Sequence, residues 1–359
     1  MTAKTNTRKI RVGIPRALLY YQYFPMWKTF FEELGAEVVT TPETKRMTLA
    51  SGSARVVAET CLPTKIYVGH VIDLAKEVDY VFIPSIRSIE PSVYNCSKFL
   101  GLPDLVRGVV KECPPILDIE IDVNKGERKV REQIHWLGRH FTRNPFRING
   151  AYRKALAADQ SYQSVMRSRR LTPPEAIQIV TGEKTEGEAV GETSWLNDPD
   201  ASVRIGLAGH PYNIYDGYMN HNLLKRLRSL GVDVVTAEMA PLEALDRGTA
   251  SLVGKPYWTF EDEVVGAAGY FLEAEVDGII CMVCFGCGPD SLMVDVIHRA
   301  ARERGNKPVM NIILDEHTGE AGLVTRLEAF VDMLQRRREA RSKLTTRDRS
   351  CSQGKWEAT

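Results

Sequence analysis

Arg11-Val12-Gly13-Ile14-Pro15 and, after a run with helical apolar spacing, Phe30-Phe31-Glu32-Glu33-Leu34-Gly35-Ala36-Glu37-Val38-Val39-Thr40 read as strand, helix, glycine stop and strand. The same order returns in the second half. There Arg204-Ile205-Gly206-Leu207-Ala208 is followed by Leu223-Leu224-Lys225-Arg226-Leu227-Arg228-Ser229-Leu230-Gly231-Val232-Asp233-Val234-Val235-Thr236. Short apolar runs alternating with helix-period stretches imply parallel strands joined by helical crossovers. Two such units at matching spacing predict an α/β chain of two doubly wound parallel-sheet domains of similar build.

Outward from these units, the first half is expected to hold helices over 20–34, 63–76, 105–110, 125–141 and 145–169, a short helix over 54–59, and strands over 78–83 and 114–121. In the second half the spacing predicts strands over 203–207, 232–236, 276–282 and 308–314, and helices over 221–230, 257–274, 290–304 and 320–338. Between the halves, 181–202 is rich in Gly, Glu, Thr and Asp and has little periodicity. The expected organisation is an α/β domain over 9–180 with a helical extension, a flexible linker over 181–202, an α/β domain over 203–338, and a disordered charged tail over 339–359.

Hydrophobic side chains make up 43% of the 359 residues and charged ones 26%, with a net charge of +1. That balance gives no electrostatic footprint for nucleic acid. No apolar run approaches the roughly 18–20 residues that cross a bilayer, so no membrane role is expected. The polar stretch 1–9 lacks the apolar core of a secretory signal. The expected location is the cytoplasm, where the seven cysteines stay reduced.

Three of those cysteines fall in Cys281-Met282-Val283-Cys284-Phe285-Gly286-Cys287. The C-x2-C-x2-C spacing belongs to both zinc and iron–sulfur chemistry. Side chains alternate along a strand, so Cys281 reads as strand core, while Cys284 and Cys287 flank a glycine turn. Asp290 or Ser291 is expected to cap the helix that follows. Cys61, in Glu59-Thr60-Cys61-Leu62-Pro63, precedes a helix N-terminus, where free amides favour a thiolate. Cys96 lies in the loop Tyr94-Asn95-Cys96. Zinc would need a second cysteine pair or closely spaced histidines, and neither exists. Soft thiolates from separate loops favour iron–sulfur. Cys113 and Cys351 read as filler and bystander, with Cys113 a reserve ligand for a larger cluster. His210 follows a strand between Gly209 and Pro211, and Asp315-Glu316-His317 follows another. These are candidates for proton handling or substrate orientation, with capping of the last helix the alternative use of one carboxylate; Glu59 and Lys65 rank below them. No G-x-G-x-x-G or P-loop pattern appears, so nucleotide binding has no sequence support.

Taken together, VGIPRALLYY, ETCLPTKIYVGH, YNCSKF, GHPYNIYD, FGCGPDS and DEHTGEAGLVTRLEAF resemble the 2-hydroxyacyl-CoA dehydratase superfamily, and within it the proteins related to acyl-CoA dehydratase activases. The resemblance spans roughly residues 9–335. It implies two α/β domains with a cysteine-bound 4Fe-4S cluster between them, low-potential electron transfer or reduction, and a separate ATP-dependent activase or reductase as electron donor. A double-cubane 8Fe-9S cluster stays open, and relatives work as homodimers. Carried over by position, Cys61, Cys96 and Cys287 match the cluster ligands, with Cys284 an additional thiol: either a fourth ligand that would close the iron site or a link toward a larger cluster. His210, Glu316 and His317 are the catalytic candidates. The actin-like ATP-binding domain of an activase has no counterpart here. The expected role is a reductase or dehydratase component; the alternative is a non-catalytic iron–sulfur electron carrier or scaffold.

Overall fold

The computed structural model describes residues 8–185, 201 and 203–353. In the first half, strands β1 (Arg11–Ile14), β2 (Glu37–Thr40), β3 (Tyr80–Phe82) and β5 (Ile116–Leu117) form a parallel sheet in the order β2-β1-β3-β5. In the second half, β7 (Val203–Gly209), β8 (Val232–Thr236), β9 (Gly278–Cys284) and β10 (Val309–Leu314) form another, in the order β8-β7-β9-β10. Each half thus runs second, first, third, fourth. The repeat legible in the sequence is a repeat of winding. The order reverses beside β1 and β7, so each sheet has its switch point there, where loops at the carboxyl ends open a crevice.

The two halves share one apolar core. Val12, Phe31 and Phe82 of the first half belong to the same buried cluster as Leu207, Met282 and Cys284 of the second. The opposite face of the second sheet, with Ile279, Cys281 and Val283, packs into a separate cluster under the helices Ala267–Glu273 and Gly288–Glu303. Strand parity in β9 decides which cysteine faces which core.

Several elements differ from the sequence reading. The expected strand over 114–121 is split: β5 joins the main sheet, while β6 (Glu120–Asp122) leaves it to pair with β4 (Ser85–Ser88) in a two-stranded side ladder. The short helix forms over Arg46–Ser53 rather than 54–59. Its Gly52 and the facing Gly69 of helix Leu62–Leu74 let the two backbones touch, and that packing outweighs local propensity. Helix Pro173–Val180, closed by a Thr172–Glu175 capping box, and helix Leu242–Val253 escape the pattern reading. The expected start at 257 fails because Thr259 N–H donates to Tyr94 O at 3.1 Å and Glu261 takes the Trp258 N–H at 3.1 Å. A π-turn, Asp262–Gly266, then leads into Ala267–Glu273. The last helix continues over Glu320–Gln353, where the sequence reading expects disorder from 339. Of the linker over 181–202, residues 186–200 and 202 lie outside the described residues.

The Gly52–Gly69 contact matters to the site because helix Leu62–Leu74 begins at Cys61. A Cβ on Gly69 would sit 1.9 Å from Thr48 O, and one on Gly52 1.9 Å from Lys65 O. Gly69→Ala must therefore part the helices. The expected loss is about 1–3 kcal/mol, seen as a lower denaturation midpoint with unchanged slope. An unaltered midpoint would refute the close approach.

Candidate functional site

Four of the sequence-selected residues occupy equivalent backbone positions. Cys61 precedes helix Leu62–Leu74, Cys96 precedes Ser97–Leu100, His210 precedes Pro211–Tyr215, and Cys287 precedes Gly288–Glu303; each is the N-cap residue, in extended conformation. Proline near three of these starts explains the repetition: Pro63, Pro211 and Pro289 fix the first turn where no amide hydrogen is needed. Asp290 is not the cap the sequence reading expects. Cys287 takes that place, and Asp290 is freed for another bond.

Cys284 ends β9 and is 3% exposed. The chain then turns, with Cys287 N–H bonded to Cys284 O at 3.1 Å and Gly286 at φ 77°. Glycine suits that conformation. It also suits the surroundings, since a Cβ there would lie 3.6 Å from Glu59 O. The cysteine turn of the second half therefore packs against the loop that carries Cys61 in the first. Cys61 is electrostatically coupled to Cys96, Cys284 and Cys287, and Cys96 to His210. Tyr212 is coupled to Asp290, Cys287, Cys284 and Cys96. These groups share one neighbourhood between the halves. Cys281 is fully buried on the other face of β9, as strand parity requires.

All four thiols are free; Cys61, Cys96 and Cys287 are half-buried and Cys284 is buried. Burial pushes the Cys96, Cys284 and Cys287 thiols up, and the Asp290 carboxylate adds to the effect on the last two. Cys284 donates its S–H to Asn213 Oδ1 at 3.2 Å. Cys61 Sγ lies 3.2 Å from Thr64 Oγ1. Beside Cys96, buried Asn95 accepts the Cys96 N–H at its Oδ1 at 2.9 Å, and its Nδ2 has no hydrogen-bond partner among the described residues. Also among the described residues, no three His, Cys, Asp or Glu side chains are arranged to hold a single metal ion. Among the described residues no thiols are grouped as in a mononuclear zinc site, where they meet one ion at about 2.3 Å.

His210 is 7% exposed. Its Nδ1 lies 3.0 Å from Glu263 Oε2 and its Nε2 3.1 Å from Asp290 Oδ1. The ring stacks on Tyr212 with centroids 5.0 Å apart. Burial alone would strip its proton, but the two carboxylates outweigh that and hold the imidazole charged above its ordinary range. Burial in turn pushes the Glu263 carboxyl up, against the pull of His210. Gln22 Nε2 reaches Glu263 Oε1 at 3.1 Å from the other half, and at the opposite end the Asp290 carboxylate is near enough to the Cys287 thiol to push it up. The result is a hydrogen-bonded chain from Gln22 through Glu263 and His210 to Asp290, which lies beside Cys287. The sequence offered no signal for Glu263, because the π-turn that aims it has no periodic signature. Asp290 was visible only as a cap.

Glu316 and His317 are not part of this chain. Glu316 pairs with Lys65, whose side chain is 2% exposed and also donates to Ala58 O at 2.8 Å. The pair joins the two halves. His317 is exposed and engages by its backbone N–H, which donates to Asp315 Oδ1 at 2.8 Å. Asp315 also accepts from Thr318 Oγ1 at 2.9 Å, so that carboxylate shapes the turn.

The family model described as CoA enzyme activase uncharacterised domain (DUF2229) matches residues 11–240. The chain belongs to this family. The matched span contains Cys61, Cys96 and His210 and ends before the cysteine turn of the activase-related chain. No curated protein matches it. A solved structure of a candidate sugar binding protein from Salmonella typhimurium LT2 is aligned at 12% identity over 92% of this chain and 89% of that one, with a TM-score of 0.20. No described helix is long and apolar enough to cross a membrane.

The Lys65–Glu316 latch gives a pH prediction. Partial burial would raise the Glu316 carboxyl, but the hydrogen bond and charge of Lys65 hold it below its ordinary 4.5. A depressed carboxyl stabilises the fold above its unfolded value, and that contribution disappears as pH falls below about 4.5. Glu316→Gln should cost about 1–2 kcal/mol at pH 7 by leaving Lys65 buried with a weaker partner, the solvent-facing side of Glu316 limiting the loss. The variant should also show a smaller drop in stability between pH 5 and 3 (roughly the titration window of the latch). Equal acid sensitivity in both proteins would rule the latch out.

Proposed function

We propose that this chain is an iron–sulfur component of the 2-hydroxyacyl-CoA dehydratase type, with Cys61, Cys96 and Cys287 as cluster ligands. The observation that carries the reading is the convergence of these free thiols, from three separate loops, on one crevice between the halves. Family membership adds support, and so does the donor set. The thiols are unpaired, and the buried Asn95 Nδ2 beside Cys96 is a free donor of the kind an anionic sulfur ligand takes up. A cluster spreads its thiolates over several irons, so the ligands need not meet at one point as they would around zinc.

Such a cluster would supply single electrons at low potential. Within the chain, Cys61 and Cys287 precede helices of 13 and 16 residues, whose unpaired amides favour negative charge. His210 holds a proton between Glu263 and Asp290, and Asp290 adjoins the Cys287 side chain, so a proton can be kept beside the redox centre without a bulk-water path. Cys284, whose S–H is already given to Asn213, is the weaker fourth ligand. Three thiolates would leave one iron open to substrate, which favours a catalytic component over a closed electron carrier. Phe285 and Val57, exposed at 69% and 68%, flank the turn and the Cys61 loop and suit the docking of an electron-donating activase.

Iron and sulfide analysis with electron paramagnetic resonance on anaerobically purified protein tests the reading. Cys284→Ser should keep the wild-type iron content and signal, whereas Cys61→Ser, Cys96→Ser and Cys287→Ser should each lose at least half of the iron. Colourless wild-type protein with stoichiometric zinc would sink the proposal. Loss of iron in Cys284→Ser would restore the closed, four-thiolate carrier.

A further inference from the structure

A cavity of about 160 Å³ lined by no cysteine lies between helix Tyr20–Glu33, the β4–β6 ladder and the helices Glu127–Gly138 and Pro145–Arg169. None of its lining side chains is charged. The only strong hydrogen-bonding groups among them are the hydroxyls of Tyr23 and Tyr152 and the indole N–H of Trp27. Its aromatic wall is braced edge to face: Trp27 meets Phe82 at 5.3 Å and 73°, and Phe82 meets Phe31 at 5.1 Å and 71°. Natural interiors leave few voids larger than a water molecule, and unfilled space costs stability. Apolar cavities of about 150 Å³ stay dry and accept benzene or xenon. The site has an entrance, since Leu156 at its edge is 39% exposed and Tyr152 and Ile134 are half-buried. No cationic side chain lies in the wall to compensate a carboxylate moved out of water.

We propose that this cavity is a binding site for an uncharged hydrocarbon ring or a short branched chain of similar volume. It stands apart from the cluster reading, because none of its walls carries a cysteine. It is nevertheless wired to the crevice: helix Tyr20–Glu33 supplies Tyr23 and Trp27 to the wall, and Gln22 of the same turn to Glu263.

Toluene and benzoate, equal in ring size and different in charge, are the probes, read by thermal melting and by Trp27 fluorescence, with Trp27→Phe as the control for the optical signal. Toluene should raise the melting midpoint saturably and benzoate should not. Ala155→Leu, at a wall position 1% exposed, should fill the space, weaken toluene binding at least tenfold and leave its own midpoint unlowered. If that variant melts early, Ile134→Phe takes its place with the same expected loss of binding. Absence of a saturable toluene effect, an equal effect of benzoate, or unchanged toluene affinity in the filled variant would overturn the proposal.

Discussion

A buried imidazole between two carboxylates is the constraint on which the crevice depends. His210 comes from the end of β7, Asp290 from the first turn after the cysteine loop, and Glu263 from a π-turn. Buried ionisable groups are tolerated when each finds its partner, and removal of one leaves the others uncompensated. The three elements are therefore fixed relative to one another. Gln22 extends the constraint to the first half, as do Thr44 Oγ1 donating to Asp216 Oδ2 at 2.5 Å and the Lys65–Glu316 pair. The crevice is held by polar bonds at its walls while the shared apolar core holds the halves below.

The cysteines gain their arrangement from two rules of local geometry. Strand parity sends Cys281 and Cys284 to opposite faces, so that only one looks toward the first half. The N-cap position then places Cys61, Cys96 and Cys287 at loop-to-helix junctions, on the side of the sheets where crevices open. Burial and Asp290 keep the thiols of Cys284 and Cys287 protonated in the protein alone. A cationic group arriving in the crevice would reverse that preference.

The two halves share their winding and differ in what is added to it. The first half carries the side ladder and the long helical pair, which leave the apolar cavity between them. The second carries the cysteine turn and the π-turn. A duplicated scaffold thus holds two unlike places, one polar and thiol-rich at the switch points, the other dry and aromatic.

By itself the sequence determined the winding, because apolar periodicity, turn glycines and helix-starting prolines act over a few residues and leave a local trace. It also marked Cys61, Cys96, Cys284, Cys287 and His210 as strand-end or helix-start residues. Tertiary structure alone decided their partners. Glu263 is aimed by a π-turn that no period announces, Asp290 reads as a cap until Cys287 takes that position, and the pairing of Glu316 with buried Lys65 joins residues 251 positions apart. Helix Arg46–Ser53 was likewise misplaced, because a glycine contact with a helix later in the chain fixes it. Side-chain pairing across a crevice depends on where distant segments arrive, and that is set by packing rather than by any residue's neighbours in the chain.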